Sequence, residues 1–268
     1  MQLFENLPWY GYVILALGIA SYAYKYFKIG KAEFDKPTHQ KAKFKKSSDS
    51  QLNKEQLFSL ALYTPIAEWW GADTNTLRFL DAKAIQPYMK GWGIDTQTDY
   101  WNLAEYFMKE GRRFYFDFIH QMIQTEPEEN WAEVVNQKFG NNEQAQRYLR
   151  LLSTEESLEK LKEKGILTFD SEMDLGVSGY DAAILVGQAR KAFTAKLISE
   201  EDAWKVIDFA KQLAKSNFSS WEEFGKSFAL GLEMDMRDDH NNYTEEILHL
   251  YKQALESESS PWNNINWS

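Results

Sequence analysis

The chain has no cysteine, which excludes disulfides and thiolate metal sites and fits a folded part kept in a reducing compartment. Histidine is scarce, with only His39, His120, His240 and His249 in 268 residues. HExxH, GxSxG, a Walker loop and GxGxxG are all absent, which removes the common signatures of metallo- and serine hydrolases and of nucleotide and dinucleotide binding. No repeat of fixed period runs through the sequence. Positive charge is in short supply over most of the length. Residues 47–268 carry 22 lysines and arginines against 37 aspartates and glutamates, a balance that repels nucleic acid and favours encounter with a basic protein.

Hydrophobic residues make up 44% of the chain and aromatic ones 15%, ample for a sizeable core. The first stretch lacks charge altogether. Between Asn6 and Tyr24 no ionisable acid or base occurs, close to the ~20 residues a helix needs to cross a bilayer. Trp9, Tyr10 and Tyr12 flank this run on one side, and Tyr22, Tyr24, Tyr26 and Phe27 on the other, as interfacial aromatics do. Residues 1–29 are therefore read as a membrane anchor, spanning at 7–27. Residues 1–46 hold eight lysines, all after the apolar run, against Glu5, Glu33 and Asp35. By the positive-inside rule, the remainder then lies in the cytoplasm, below the inner membrane. Residues 30–50 are basic and without period, a linker near anionic headgroups.

The expected architecture after the anchor is an all-α, multi-helix globular domain over residues 51–256, with a tail at 257–268. Helical patterns cover 52–70, 74–88, one or two aromatic-rich helices between Trp101 and Met122, then 131–139, 143–152, 154–164 and 244–255. Gly111-Arg112-Arg113 reads as an interruption, 166–169 as a short extended piece, and 235–242 as a polar loop. Between Gly179 and Gly231 three helices stand out. Their apolar stripes are Ala182, Leu185, Val186, Ala189 and Phe193; Ala203, Val206, Ile207, Ala210, Leu213 and Ala214; and Trp221, Phe224, Gly225, Phe228 and Leu232. Ser178, Ser199 and Ser219 each precede an acid by three residues, the spacing of a capping box.

The order and spacing of Tyr180-Asp181, Arg190, Ile198-Ser199-Glu200-Glu201-Asp202-Ala203-Trp204, Ser220-Trp221-Glu222-Glu223-Phe224-Gly225 and Gly231 resemble a bacterial family known as domain of unknown function 1266. The resemblance is strongest over 176–233 and extends back to about Leu57. Two departures stand out. Tyr180 takes the place of a usual Trp, and Ala195-Lys196 the place of a usual Gly. The resemblance implies no chemistry, but it carries a link to bacterial antagonism systems.

Nine positions separate Asp181 from Arg190, which puts them on opposite faces of one helix, unable to pair. Asp181 is expected to favour its helix N-terminus, and Arg190 to pair with Glu222 or Glu223 between helices. Trp204 and Trp221 are expected in the core. The acids Glu200, Glu201 and Asp202, and likewise Asp235, Asp238 and Asp239 with His240, lack metal-site spacing, so neither a metal nor another cofactor is expected. The expected function is that of an immunity protein, which binds a cognate toxin directly and neutralises it. A toxin acting on nucleic acid would be basic, and carboxylates outside the apolar stripes would cover its site. Candidates are Glu155, Glu156, Glu159, Asp235, Asp238 and Asp239, with Trp262 and Trp267 as docking aromatics in the tail. The alternatives are an enzyme using Asp181, Arg190 and Glu201 in a pocket, and a membrane-associated scaffold.

Overall fold

A computed structural model describes residues 41–236 and 243–267. The expected anchor at 7–27 and the candidates Asp238 and Asp239 lie outside the described residues. Among these residues no helix is long and apolar enough to cross a membrane. All their regular structure is helical.

The helices are α1 (Lys54–Ala61), α2 (Thr64–Trp70), α3 (Ala82–Gly91), α4 (Gln97–Lys109), α5 (Arg113–Thr125), α6 (Trp131–Phe139), α7 (Glu143–Leu152), α8 (Glu155–Glu163), α9 (Ser178–Thr194), α10 (Glu200–Asn217), α11 (Trp221–Met236), α12 (Tyr243–Glu256) and α13 (Pro261–Asn264). Short 3-10 turns occupy Glu128–Asn130 and Asp170–Leu175, and residues 166–169, expected as a short extended piece, form no strand.

Helix α9 is the axis of the domain. Every residue in it except Phe193 is buried, so it shows no solvent face at all. Its apolar stripe is real, but the opposite side is covered too, by α10 and α11 on one flank and α3 and α4 on the other. Helices α9 and α11 cross closely. A side chain at Gly231 would put its Cβ 2.3 Å from the Cβ of Tyr180, so only hydrogen fits there. Around this centre α12 packs on α2, α1 on α10, and α5, α6 and α7 form a layer joined to α8.

Of the three expected caps, one forms as read. The Ser199 hydroxyl accepts from the Asp202 amide at 3.1 Å and opens α10. At α11 the cap is shifted by one residue, with Ser220 Oγ accepting from the Glu223 amide while the Glu223 carboxylate accepts from the Ser219 amide. At α9 none forms, because Asp181 turns away to another helix.

Residues 74–81 are not helical, although the periodicity predicts a helix from 74. Asn75 instead binds the backbone of Ser47, and the Thr74 amide donates to the Lys45 carbonyl, so this segment pairs with the incoming chain. Asp81 then caps α3. That incoming chain had been read as linker, yet over 41–50 it lies against the body. Phe44 is 2% exposed, and Glu68 accepts from the Lys43 and Phe44 amides.

The tail also folds back. Trp262 is 4% exposed and its indole donates to the Ala61 carbonyl at 2.7 Å. Trp221 stacks on it at 5.4 Å and donates to the Ile265 carbonyl, while Trp267 donates to the Phe218 carbonyl. Three indole N–H groups thus find carbonyls inside an aromatic cluster with Phe58, where burial requires partners.

Candidate functional site

A helix buried on all sides needs partners for the polar groups it carries, and α9 carries several, of which Gln188 Oε1 and Arg190 Nε and Nη1 find no hydrogen bond among the described residues. These polar groups fall into two clusters. Near its N-terminus, Asp181 reaches the start of α5. One carboxylate oxygen accepts from the Arg112 amide at 2.9 Å; the other accepts from the Arg113 amide at 3.1 Å and from Arg113 Nη1 at 2.9 Å. Since α5 has no capping side chain of its own, a carboxylate from another helix supplies the cap. The Arg113 guanidinium also donates to the carbonyls of Phe107 and Met108, closing the end of α4. Three helix termini or turns are therefore joined through one ion pair. Burial pushes the Asp181 carboxyl up to about 6, against the pull of the two amides and Arg113. It is ionised at neutral pH and titrates in mild acid.

Gly111 makes this joint possible. It sits at φ +67°, and a Cβ there would lie 2.2 Å from the Asp181 carboxylate. Beside it, Arg112 Nε stands 2.8 Å from one oxygen of Asp235, and the Tyr180 hydroxyl donates to the other at 2.8 Å. Burial, and then the Asp235 charge, push the Tyr180 hydroxyl far above its ordinary range. Further along α11, Glu233 pairs with Lys164 at 2.6 Å.

The second cluster lies at the other end of α9. Arg190 Nη2 donates to the carbonyls of Asp73 at 2.6 Å and Thr76 at 2.9 Å, with the guanidinium 5.1 Å from the centre of Phe79. Burial lowers it to about 10. The expected pairing with Glu222 or Glu223 does not occur: Glu222 binds Lys226, and Glu223 is taken by the start of α11. Lys191 is fully buried inside four rings, with Nζ 4.0 Å from the centre of Tyr88, 4.9 Å from Tyr63, 5.0 Å from Phe79 and 5.8 Å from Trp70. It donates to the Tyr63 hydroxyl at 2.6 Å. Loss of hydration, with Arg190 adjacent, lowers the lysine well below its ordinary range, while ring faces stabilise whatever charge it keeps.

The residues singled out from the sequence are not brought together. Asp181 serves the α4–α5 joint, Arg190 the 73–76 turn, and Glu201 is an exposed partner of Lys205. Trp204 is half-buried and points its indole at Glu200. Asp235 had been expected at the surface; it is instead 9% exposed and held by Arg112 and Tyr180. Trp262 and Trp267, expected as docking groups, are engaged in the aromatic cluster described above. Glu155, Glu156 and Glu159 are exposed as expected, with Glu156 beside Lys160 and Glu159 beside Lys162. Two hollows lie elsewhere. One of about 430 Å³ is lined by Asn141, Glu143, Gln146, Arg147 and Arg150, and one of about 230 Å³ lies between α3 and Leu197, rimmed by Lys83, Gln86, Lys90 and Asp95. Neither is lined by Asp181, Arg190 or Glu201. Among the described residues no group of three acids and histidines is placed to hold a metal.

Arg112, Arg113 and Lys191 were missed from the sequence. A signal existed for each. Gly111-Arg112-Arg113 directly after an aromatic helix is a turn with two cations, and Arg190-Lys191 stands between Ala189 and Ala192 on a helix with few other charges.

With that geometry in place, the chain belongs to the family described as Protein of unknown function (DUF1266), whose profile matches residues 89–267. No curated protein and no solved structure matches it.

Proposed function

We propose, from this membership and from where the charge lies, that the chain is a binding protein that meets a basic partner through its acidic exterior, and that the partner is a toxin which it neutralises by direct contact. The observation that carries this is the separation of charge between inside and outside. Among the described residues each buried acid has its own cation: Asp181 has Arg113, Asp235 has Arg112 and Glu233 has Lys164. The buried cations Arg190 and Lys191 rest on carbonyls and rings instead. Over 47–236 and 243–267 the sequence holds 35 acidic against 21 basic residues, and this excess is therefore left to the surface. Such a surface raises the association rate with a basic protein. In this reading residues 7–27 tether the domain to the inner membrane on its cytoplasmic side.

The test is binding to the product of the adjacent gene at low and high ionic strength, alongside survival of cells that express that product with and without this chain. Screening shortens the Debye length from ~10 Å at 0.1 M to ~3 Å at 1 M. Fast association that slows steeply with salt, together with rescue of growth, supports the proposal. An on-rate that ignores salt, or expression of the product without any rescue, overturns it.

A further inference from the structure

We propose that the turn carrying Phe169, with the carboxylates of α8 and of the following 3-10 helix around it, is the surface on which the basic partner docks. This rests on the binding reading above and adds the place and the chemistry of the contact. Phe169 is 66% exposed, well beyond Phe114 at 37% and Trp69 at 36%, the other large hydrophobic side chains in the open among the described residues. Its backbone is nevertheless fixed. The Glu172 carboxylate accepts from the amides of both Thr168 and Phe169, and its other oxygen is held by Lys226 of α11 at 2.7 Å. An apolar ring is thus held in water on a pinned turn, where it contributes little to the core. A preorganised aromatic is what an interface anchor requires, because little freedom is left to lose on binding.

The ring is set in negative charge. Residues 155–174 hold seven carboxylates against three lysines. Lys162 lies 2.9 Å from Glu159 and 3.0 Å from Asp170, so α8 and the Phe169 turn form one continuous face. The other two lysines are also drawn to acids, Lys160 to Glu156 and Lys164 to the buried Glu233. This charge repels nucleic acid and anionic lipid, so the occupant it fits is a protein segment rich in lysine or arginine that presents an apolar hollow to the ring.

The probe is a synthetic helical peptide with lysine on one face and leucine on the other, titrated into the full-length protein by fluorescence anisotropy. Peptides with glutamate for lysine, or serine for leucine, serve as controls. Phe169→Ser is expected to weaken binding by about tenfold or more. The double variant Glu156→Lys with Glu159→Lys is expected to weaken it and to flatten its salt dependence, while Phe114→Ser leaves it unchanged. Circular dichroism checks that each variant is folded. Equal binding by wild type and Phe169→Ser, an equal loss in Phe114→Ser, or no preference for the lysine peptide overturns the proposal. The two proposals fail separately. Toxin neutralisation that survives Phe169→Ser removes this surface and leaves the neutralising role; peptide binding that behaves as expected without any neutralisation does the reverse.

Discussion

Gly111→Ala isolates the joint between α4, α5 and α9. Two effects are expected and they can be separated. The first is strain, since Gly111 lies at φ +67° and a left-handed conformation costs an L-residue roughly 1–2 kcal/mol. The second is steric. The new Cβ would lie 2.2 Å from Asp181 Oδ2 and 2.7 Å from its Cγ, and because both atoms belong to a buried side chain, the carboxylate must leave its place. It then loses three hydrogen bonds, two from amides at the start of α5 and one from Arg113. Breaking a buried charged pair costs about 3–5 kcal/mol. Gly93 supplies the control, at φ +70° with nothing within 4 Å of a built Cβ, so that Gly93→Ala reports strain alone. Urea unfolding of the purified protein should place Gly111→Ala about 3 kcal/mol or more below Gly93→Ala with an unchanged m value. In an Asp181→Ala background most of the difference should vanish, because the carboxylate is gone and Arg113 Nη1, which stands 2.5 Å from the built Cβ, is the distal end of a side chain no longer held there by the ion pair. If Gly111→Ala costs no more than Gly93→Ala, Asp181 does not clamp α5 and the account of the joint is refuted.

Lys196 lies just beyond the C-terminus of α9 at φ +62°, so Lys196→Gly should raise stability by about 1 kcal/mol, visible as a higher urea midpoint; no change or a loss would show that its side chain is needed there. Asp181 has a folded pKa of about 6, above the ordinary ~3.9. The folded state therefore holds this proton more tightly, and the group's contribution to stability grows as pH falls from 7 toward 4. Wild type should gain about 1 kcal/mol on Asp181→Asn between pH 7 and pH 5, and a relative loss would contradict the shift. Arg190→Ala removes a buried side chain and two donors to the 73–76 turn, for an expected loss of roughly 3–5 kcal/mol. Arg190→Lys should recover only part of this, since a lysine lacks the planar guanidinium that lies 5.1 Å from the centre of Phe79; full recovery would mean that charge alone matters. Alkaline carbonate extraction should leave the full-length chain in the membrane pellet, and its release into the supernatant would remove the anchor.

The helices were largely legible because apolar periodicity reports burial, and burial is what holds α4 through α8 and α10 through α12 in place. Where the sequence misled, a long-range partner had outbid a local one. Ser178 and Asp181 have the spacing of a cap, but the unpaired amides at the start of α5 claim the carboxylate. Thr74 to Asp81 has helical periodicity, but Asn75 binds the chain at Ser47 from 28 residues away. The stripe on α9 predicts one buried face; that the other is buried too depends on α3 and α4, which periodicity within α9 cannot report. The surface candidates divide on the same ground. Glu155, Glu156 and Glu159 sit on a helix with a plainly polar side and stay outside. Asp235, expected in a polar loop, lies in the last turn of the apolar helix α11 and is drawn inward by Arg112, a partner 123 residues earlier.

The covering of α9 also bears on where this protein can be cut. The match to the family profile begins at residue 89, yet Tyr63, Trp70, Phe79 and Tyr88, which enclose Lys191, all precede it. So do the carbonyls that receive Arg190 and the α1 carbonyl that receives Trp262. A fragment trimmed to the profile would open one wall of its own centre, uncover Arg190 and Lys191, and leave the tail with nothing to close against. The matched region is thus shorter than the packed unit, and the segment from 41 to 88 serves as a built-in lining that such a fragment would have to recruit from elsewhere.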